Sequence, residues 1–313
     1  MTVGLGLLFA SVSDPRAPNA RHALSDLLFI AFAAMPCGAG TCVDTADFAR
    51  CKRSLLAEVL GFTHGVPGHD TFGRVFRLLG PPAFEAASCA FMGRFAAAVS
   101  GQVGAAGQVV ALDGKSLRGA VDAARRSTPL HMVAAWAAEQ RLVLAVRRAP
   151  ERSEVAAARE AIGLLDLTAA TVTADALHGS RATAKAIRGR GGGYAFAGLA
   201  AAARIDCLRR VGDKEERRTR CVALSRVLGP AEALRVVRTH WSIENNRHWL
   251  LDVAFGEDRI ATRHDNTGEN LAMLRRLAPN LVRTDAYNAS IRRKIKRAGW
   301  DSPYLLTLLR QRR

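Results

Sequence analysis

A chain of 313 residues with 49% hydrophobic and 23% charged residues can bury a sizeable core without staples, and ordinary domain sizes favour two domains. The net charge of +17 makes self-repulsion a standing cost unless a polyanion is bound, so nucleic acid is the favoured partner; the alternative is a general preference for Arg along the whole chain. No long block of like charge marks a disordered tail, and the longest apolar run, Leu27 to Gly40, is interrupted by Pro36 and falls short of the roughly 18 residues a membrane span needs.

The charge is uneven. Residues 201–313 carry 24 Lys and Arg against 13 Asp and Glu, and residues 1–200 carry 21 against 15, so the C-terminal third is the stronger candidate for phosphate contact. Met1–Ala10 is apolar but has no basic start, which predicts no signal peptide and a cytoplasmic, nucleoid-associated protein without a membrane partner. The six cysteines form no Cys-x-x-Cys pair and read as reduced thiols.

In chain order, apolar residues at helical spacing predict helices over Ala23–Ala34, Val43–Leu60, Thr71–Leu79 and Pro82–Val99. Asp70 is the expected cap of the third, and Pro81-Pro82 opens the fourth where a missing N–H costs least. Residues 1–105 therefore read as a small all-α domain, with the Gly- and Ala-rich stretch 101–107 as linker. Residues 106–313 read differently. Gln108–Leu112 is a short strand ending on Asp113-Gly114, His131–Ala137 and Leu142–Val146 form a strand pair turning at Glu139-Gln140, and Ala170–Ala174 is a strand ending on Asp175. Glu154–Leu165 is helical, Tyr194–Gly198 is a fifth strand, and Pro230–Phe255 is a strong helix. That order is an α/β fold with an RNase H-like mixed sheet flanked by helices.

Asp113 and Asp175 close two strands and Glu244 lies on the last helix of that fold, so three carboxylates come from three separate elements. Such a set suits a hard divalent cation such as Mg²⁺, with which DNA-cutting enzymes activate a nucleophile and stabilise charge on phosphate. Singly, an Asp before Gly is more often a turn residue. Helical spacing puts Glu244, His248, Leu251 and Asp252 on one face, which makes His248 and Asp252 neighbours of the site. Trp241 and Trp249 read as core anchors.

These segments carry a family resemblance. Asp14-Pro15-Arg16 through Arg21-His22-Ala23-Leu24, with Gly65 to Phe76, resembles the N-terminal region of the H-repeat-associated insertion-sequence DDE transposases. The stretch Asp113-Gly114-Lys115-Ser116-Leu117-Arg118-Gly119 is similar to that family's Asp-Gly-Lys-Thr-Leu-Arg-Gly segment. His131 to Trp136 is similar to its following strand, and Thr171 to Ala176 to its second-aspartate motif. His240-Trp241-Ser242-Ile243-Glu244-Asn245, His248 to Val253 and Phe255 to Asp258 resemble its glutamate helix, and Asn270 to Arg276 with Ala298 to Asp301 extend the likeness.

The resemblance implies Mg²⁺-dependent cleavage and strand transfer of double-stranded DNA, at transposon ends and target, by a triad of Asp113, Asp175 and Glu244. Mn²⁺ is the expected substitute metal, and a homo-oligomer on DNA is the expected assembly. Candidate DNA contacts are Lys115, Arg118 and His248 beside the triad, and Arg275, Arg276, Arg292, Arg293, Lys294, Lys296 and Arg297 on the helices that follow. Arg283 belongs to the same basic region.

The chain also departs from that pattern. Asp175 and Glu244 are 69 residues apart, where family members carry a longer stretch, and Tyr194 to Ala197 runs through Gly198–Ala203 straight into Arg204-Ile205-Asp206. This implies the loss of an internal block between 198 and 205. Arg152 stands where the family tends to have Lys. Two further readings follow: an inert copy that only binds DNA, and a host nuclease of similar fold.

Overall fold

The computed structural model describes residues 9, 11–60, 62–100, 108–121, 129–149, 153–194, 200–224, 227–259 and 265–310. The expected linker over 101–107, Arg152, and residues 195–198 of the expected fifth strand lie outside the described residues.

Helix α1 (Leu24–Ala34) is apolar all round and buried along nearly its whole length. Helix α2 (Cys42–Cys51) starts at Thr41, whose hydroxyl accepts from the Asp44 amide while the Asp44 carboxylate accepts from the Thr41 amide, a capping box. The single helix expected over 43–60 is broken at Lys52, whose φ of −103° and ψ of 21° leave the helical region, and α3 (Arg53–Leu60) follows. The Lys52 ammonium donates to Ser302 Oγ at 3.1 Å, so a tertiary contact accompanies the break. Helix α4 (His69–Leu78) starts earlier than expected, with Gly68 as its cap; Asp70 lies in the first turn instead. Helix α5 (Pro81–Ser100) opens on the paired prolines.

Strands β1 (Val109–Val121), β2 (Pro129–Ala137) and β3 (Leu142–Arg148) form an antiparallel meander. Helix α6 (Glu154–Gly163), strand β4 (Thr171–Thr173), helix α7 (Arg181–Arg188) and strand β5 (Gly193–Tyr194) follow. The sheet order is β3-β2-β1-β4-β5, with β4 parallel to β1 and β5 parallel to β4. This is the mixed, RNase H-like sheet flanked by helices that the element order predicts.

A hairpin absent from the sequence expectation comes next, β6 (Ala201–Val211) and β7 (Lys214–Leu224). Its turn is Gly212-Asp213, with Gly212 at φ +59°, a conformation glycine adopts without penalty. The polypeptide then enters α8 (Pro230–Ile243), one π-helical turn (Glu244–His248) and α9 (Trp249–Val253), and closes with α10 (Thr267–Thr284), α11 (Ile291–Trp300) and α12 (Ser302–Arg310).

The sheet separates two apolar clusters. Val110, Leu112, Val133 and Ala135 pack against α6 and α7 on one face. Val109, Ala111, Leu117 and Trp136 join the N-terminal helices and α10–α12 on the other, so the first hundred residues and the last fifty share one core. Asn280 of α10 ties this core to β3, accepting from the Val143 amide at 3.0 Å and donating to its carbonyl at 2.8 Å. Among the described residues no single helix is long and apolar enough to cross a membrane.

Candidate metal centre

Strand β1 pairs with β4 only from Val109 to Ala111, opposite Thr171 to Thr173, and then continues past the end of β4. Asp113 is therefore inside a long strand, paired with Ala134 of β2 and clear of β4, and not at the strand end that its sequence context predicts. Alternation along β1 places Asp113 on the α8–α10 face and Gly114 on the α6 face. Gly114 has to be small there: a Cβ would lie 2.6 Å from His131 Nε2 and 2.7 Å from the Glu154 carboxyl. Asp175 lies two residues beyond β4, which stops at Thr173 and is shorter than the expected strand over 170–174.

The structure gathers Asp113, Glu244 and His248, with one ligand-capable atom of each within 4.8 Å of the others. Asp113 Oδ1 accepts from the Gly114 amide at 2.9 Å, whereas Oδ2 is buried without a hydrogen-bond partner. Burial above all, then the Glu244 charge and more weakly that of Asp175, push the Asp113 carboxyl up to about 7 against a partial offset from Arg247. His248 is held neutral, pushed down to about 2 by burial and by Arg247, Arg276 and Lys115. An Arg247 Nη1–H lies 3.1 Å from His248 Nε2 and must donate, so Nε2 accepts, and Nδ1 carries the proton it gives to Glu244 Oε2 at 3.0 Å. His248 thereby orients Glu244.

Asp175 is not part of this tight group. Its side chain is 73% exposed, beside His240 Nε2 at 3.7 Å, and it reaches Asp113 through its charge. A buried, unpartnered carboxylate oxygen among mutually repelling acids is the donor set of a divalent cation, so these residues fit one.

The expected DNA contacts divide. Arg118 is 87% exposed, and Arg292, Arg293 and Lys296 lie on the open face of α11. Lys115 is buried in a knot of carboxylates, 2.8 Å from Asp252, 3.2 Å from Asp258 and 3.7 Å from Glu257. Arg276 is fully buried in a two-pronged pair with Glu257, and Arg275 is buried with one nitrogen on the Gly40 carbonyl. Lys294 is buried against the Val282 and Asp285 carbonyls. Arg297 is clasped between the Tyr287 and Tyr304 rings and paired with Asp301, while Arg283 donates to the Arg141 and Asn246 carbonyls. His248 faces the carboxylates and not solvent. Lys115, His248, Arg275, Arg276 and Lys294 are thus buried inside the fold, which sets them apart from the exposed Arg118, Arg292, Arg293 and Lys296 as surfaces for phosphate.

Sequence reasoning also misplaced Trp249, which is exposed, and Trp241, which is half-buried under the Arg220 guanidinium. It missed Arg247, a buried cation against the site whose Nε and Nη2 have no hydrogen-bond partner, and the Glu154 carboxylate that meets His131 Nε2 at 2.6 Å. Asp252, expected beside the site, instead anchors Lys115.

Comparison with known proteins gives a consistent result. Residues 104–281 match the model described as "Transposase DDE domain", and residues 7–92 the model described as "DDE_Tnp_1-associated". The chain is 36% identical over 252 residues to an uncharacterized protein encoded in the dhlA 3′ region of Xanthobacter autotrophicus, covering 78% of this chain and 79% of that one. It is 26% identical to the H repeat-associated putative transposase YhhI of Escherichia coli K12, covering 92% of each. That alignment runs over 355 positions, 42 more than this chain has residues, so YhhI carries residues with no counterpart here. No solved structure matches.

Proposed function

The chain belongs to the transposase DDE-domain family, and from that premise we propose that it cuts DNA at the ends of an insertion sequence and joins the freed ends to target DNA. Double-stranded DNA is the substrate. Asp113, Asp175 and Glu244 hold divalent cations, Mg²⁺ with Mn²⁺ as substitute. The reading is carried by one observation, the buried Asp113 Oδ2 without a hydrogen-bond partner, grouped with the exposed Glu244 carboxylate and His248.

When bound, the cations supply Lewis-acid stabilisation of charge on the scissile phosphate and make a water or 3′-hydroxyl nucleophilic at neutral pH. The side chains around them prepare the site. The Gly114 amide fixes one Asp113 oxygen and leaves the other for a cation. The protonated Nδ1 of His248 orients Glu244, and because the ring is neutral it adds no positive charge to compete with a cation. Lys115, bound to Asp252 and Asp258, locks the segment after the glutamate turn onto β1. Asp175, exposed at the mouth, completes the set on the solvent side.

The test is strand cleavage of the element's own terminal DNA in Mg²⁺ and in EDTA. Asp113→Asn, Asp175→Asn and Glu244→Gln should each abolish cleavage, and Asp113→Asn should bind DNA as tightly as the wild type or tighter because a negative charge near phosphate is gone. A second reading, an inert copy that only binds DNA, is favoured by the buried Arg247 with two unpartnered nitrogens and by the residues missing relative to YhhI. Wild-type protein that binds DNA but cuts in neither Mg²⁺ nor Mn²⁺ would establish it.

A further inference from the structure

The β6–β7 hairpin buries almost nothing. Leu224 at its root is its one buried residue among those described, and most of the rest are exposed. Two-stranded ribbons without a covering layer are marginal in water, and this one rests on the rest of the molecule only at its root, against α8, which leaves its outer length open to a partner. Residues 201–224 carry seven Arg or Lys against four Asp or Glu, a surplus of three in 24 residues, which is about twice the density of the chain as a whole. The cations that pair do so with carboxylates of the hairpin itself, as Arg210 with Glu215 and Arg218 with Glu216. Exposed pairs of this kind are worth little and exchange readily for phosphate.

We infer that this hairpin is an arm that lies along a groove of duplex DNA next to the metal centre; this rests on the DNA-cutting reading above. Its register puts Arg209 and Arg218 on one face and Arg210 and Arg217 on the other, so long cationic side chains reach outward from both. Eleven residues at roughly 3.3 Å each span about 35 Å, close to one turn of duplex, and a two-stranded ribbon is an element the major groove admits. Near the tip, Leu208 and Val211 are 58% and 62% exposed, apolar side chains suited to sugars and thymine methyls rather than to water. The root is aimed at the chemistry. Arg220 lies 4.1 Å over the Trp241 ring, and both line a cavity of about 440 Å³ together with His240 and Asp175. Duplex following the arm is therefore led to the mouth of the carboxylate site.

The test uses the full chain and fluorescence anisotropy with a labelled 30-base-pair duplex, in EDTA, across a series of NaCl concentrations. The variant Arg209→Gln/Arg210→Gln/Arg217→Gln/Arg218→Gln should bind at least tenfold more weakly at low salt, and the slope of log K against log salt should flatten by about 0.9 for each phosphate no longer neutralised. The opposite variant, Glu215→Gln/Glu216→Gln, should bind more tightly. All six positions are exposed, so circular dichroism of both variants should match the wild type. Unchanged affinity and slope in both variants, with wild-type DNA binding intact, would overturn the arm and leave the transposase reading standing. A wild-type chain that binds no duplex would overturn both. A wild-type dimer that the quadruple variant dissolves, with DNA affinity unchanged, would assign the hairpin to a second copy instead.

Discussion

Two arginine-rich regions of this molecule look alike in sequence and differ in structure. In α10 and α11 the basic residues are largely turned inward: Arg276 is sealed against Glu257, Arg275 against a backbone carbonyl, Lys294 against two more. In β6 and β7 they stand in solvent, paired with carboxylates of the hairpin, apart from Arg220 at the root, which lies over Trp241. A positive charge in sequence is therefore no guide to a phosphate-binding surface until the apolar period of its element is known. In α11 that period buries Lys294, Ile295 and Ala298 and leaves Arg292, Arg293 and Lys296 outside, dividing one cluster between two jobs.

The contrast is sharpest where burial is complete. Arg276→Ala strips Glu257 of its two-pronged partner in the interior and leaves it only the longer Lys115 contact, and should lower unfolding free energy by about 3 kcal/mol in urea titrations. The paired replacement Arg276→Met/Glu257→Leu should recover most of that loss. Little effect from the single variant would mean that this pair is open to water, and the division between the two regions would fail.

The metal centre offers a carboxylate with one oxygen buried and without a hydrogen-bond partner. Asp113 titrates at about 7 when folded against 3.8 unfolded, so its proton is held more tightly in the native state. That stabilisation is present below pH 3.8 and is lost as pH rises to about 7. In EDTA the wild type should therefore lose stability over this window relative to Asp113→Asn, by up to about 4 kcal/mol at 1.36 kcal/mol per unit. Mg²⁺ should reduce the difference. Parallel pH profiles for the two proteins would show Asp113 to be solvated or already paired.

Asn280→Ala removes the only side chain bonded to both polar groups of Val143 among the described residues, and should cost about 2–3 kcal/mol with DNA affinity unchanged. At the small end, Arg292→Gln/Arg293→Gln/Lys296→Gln should alter stability by less than about 0.5 kcal/mol. Its effect belongs in the salt dependence of DNA binding, and should be smaller than that of the four hairpin arginines. A larger one would move the main phosphate surface to α11.

Much was determined locally. Apolar runs punctuated by Gly and Pro set the order of strands and helices, because a strand or helix that buries one face advertises its period in sequence. That order placed Asp113 on the first strand, Asp175 after the fourth and Glu244 on the helical segment that follows, and the four-residue spacing of Glu244 and His248 anticipated their hydrogen bond. Tertiary structure decided the rest. Asp113 becomes accessible because β4 stops at Thr173 while β1 runs on, a fact about two strands and not about Asp113-Gly114. Lys115, Arg275, Arg276 and Lys294 were read as free cations because sequence shows a charge and not the partner folded against it. The hairpin is hard to read in the sequence because β7 runs Lys214-Glu215-Glu216-Arg217-Arg218 with no apolar alternation, and its Gly212-Asp213 turn is a weak signal beside a single alternating strand.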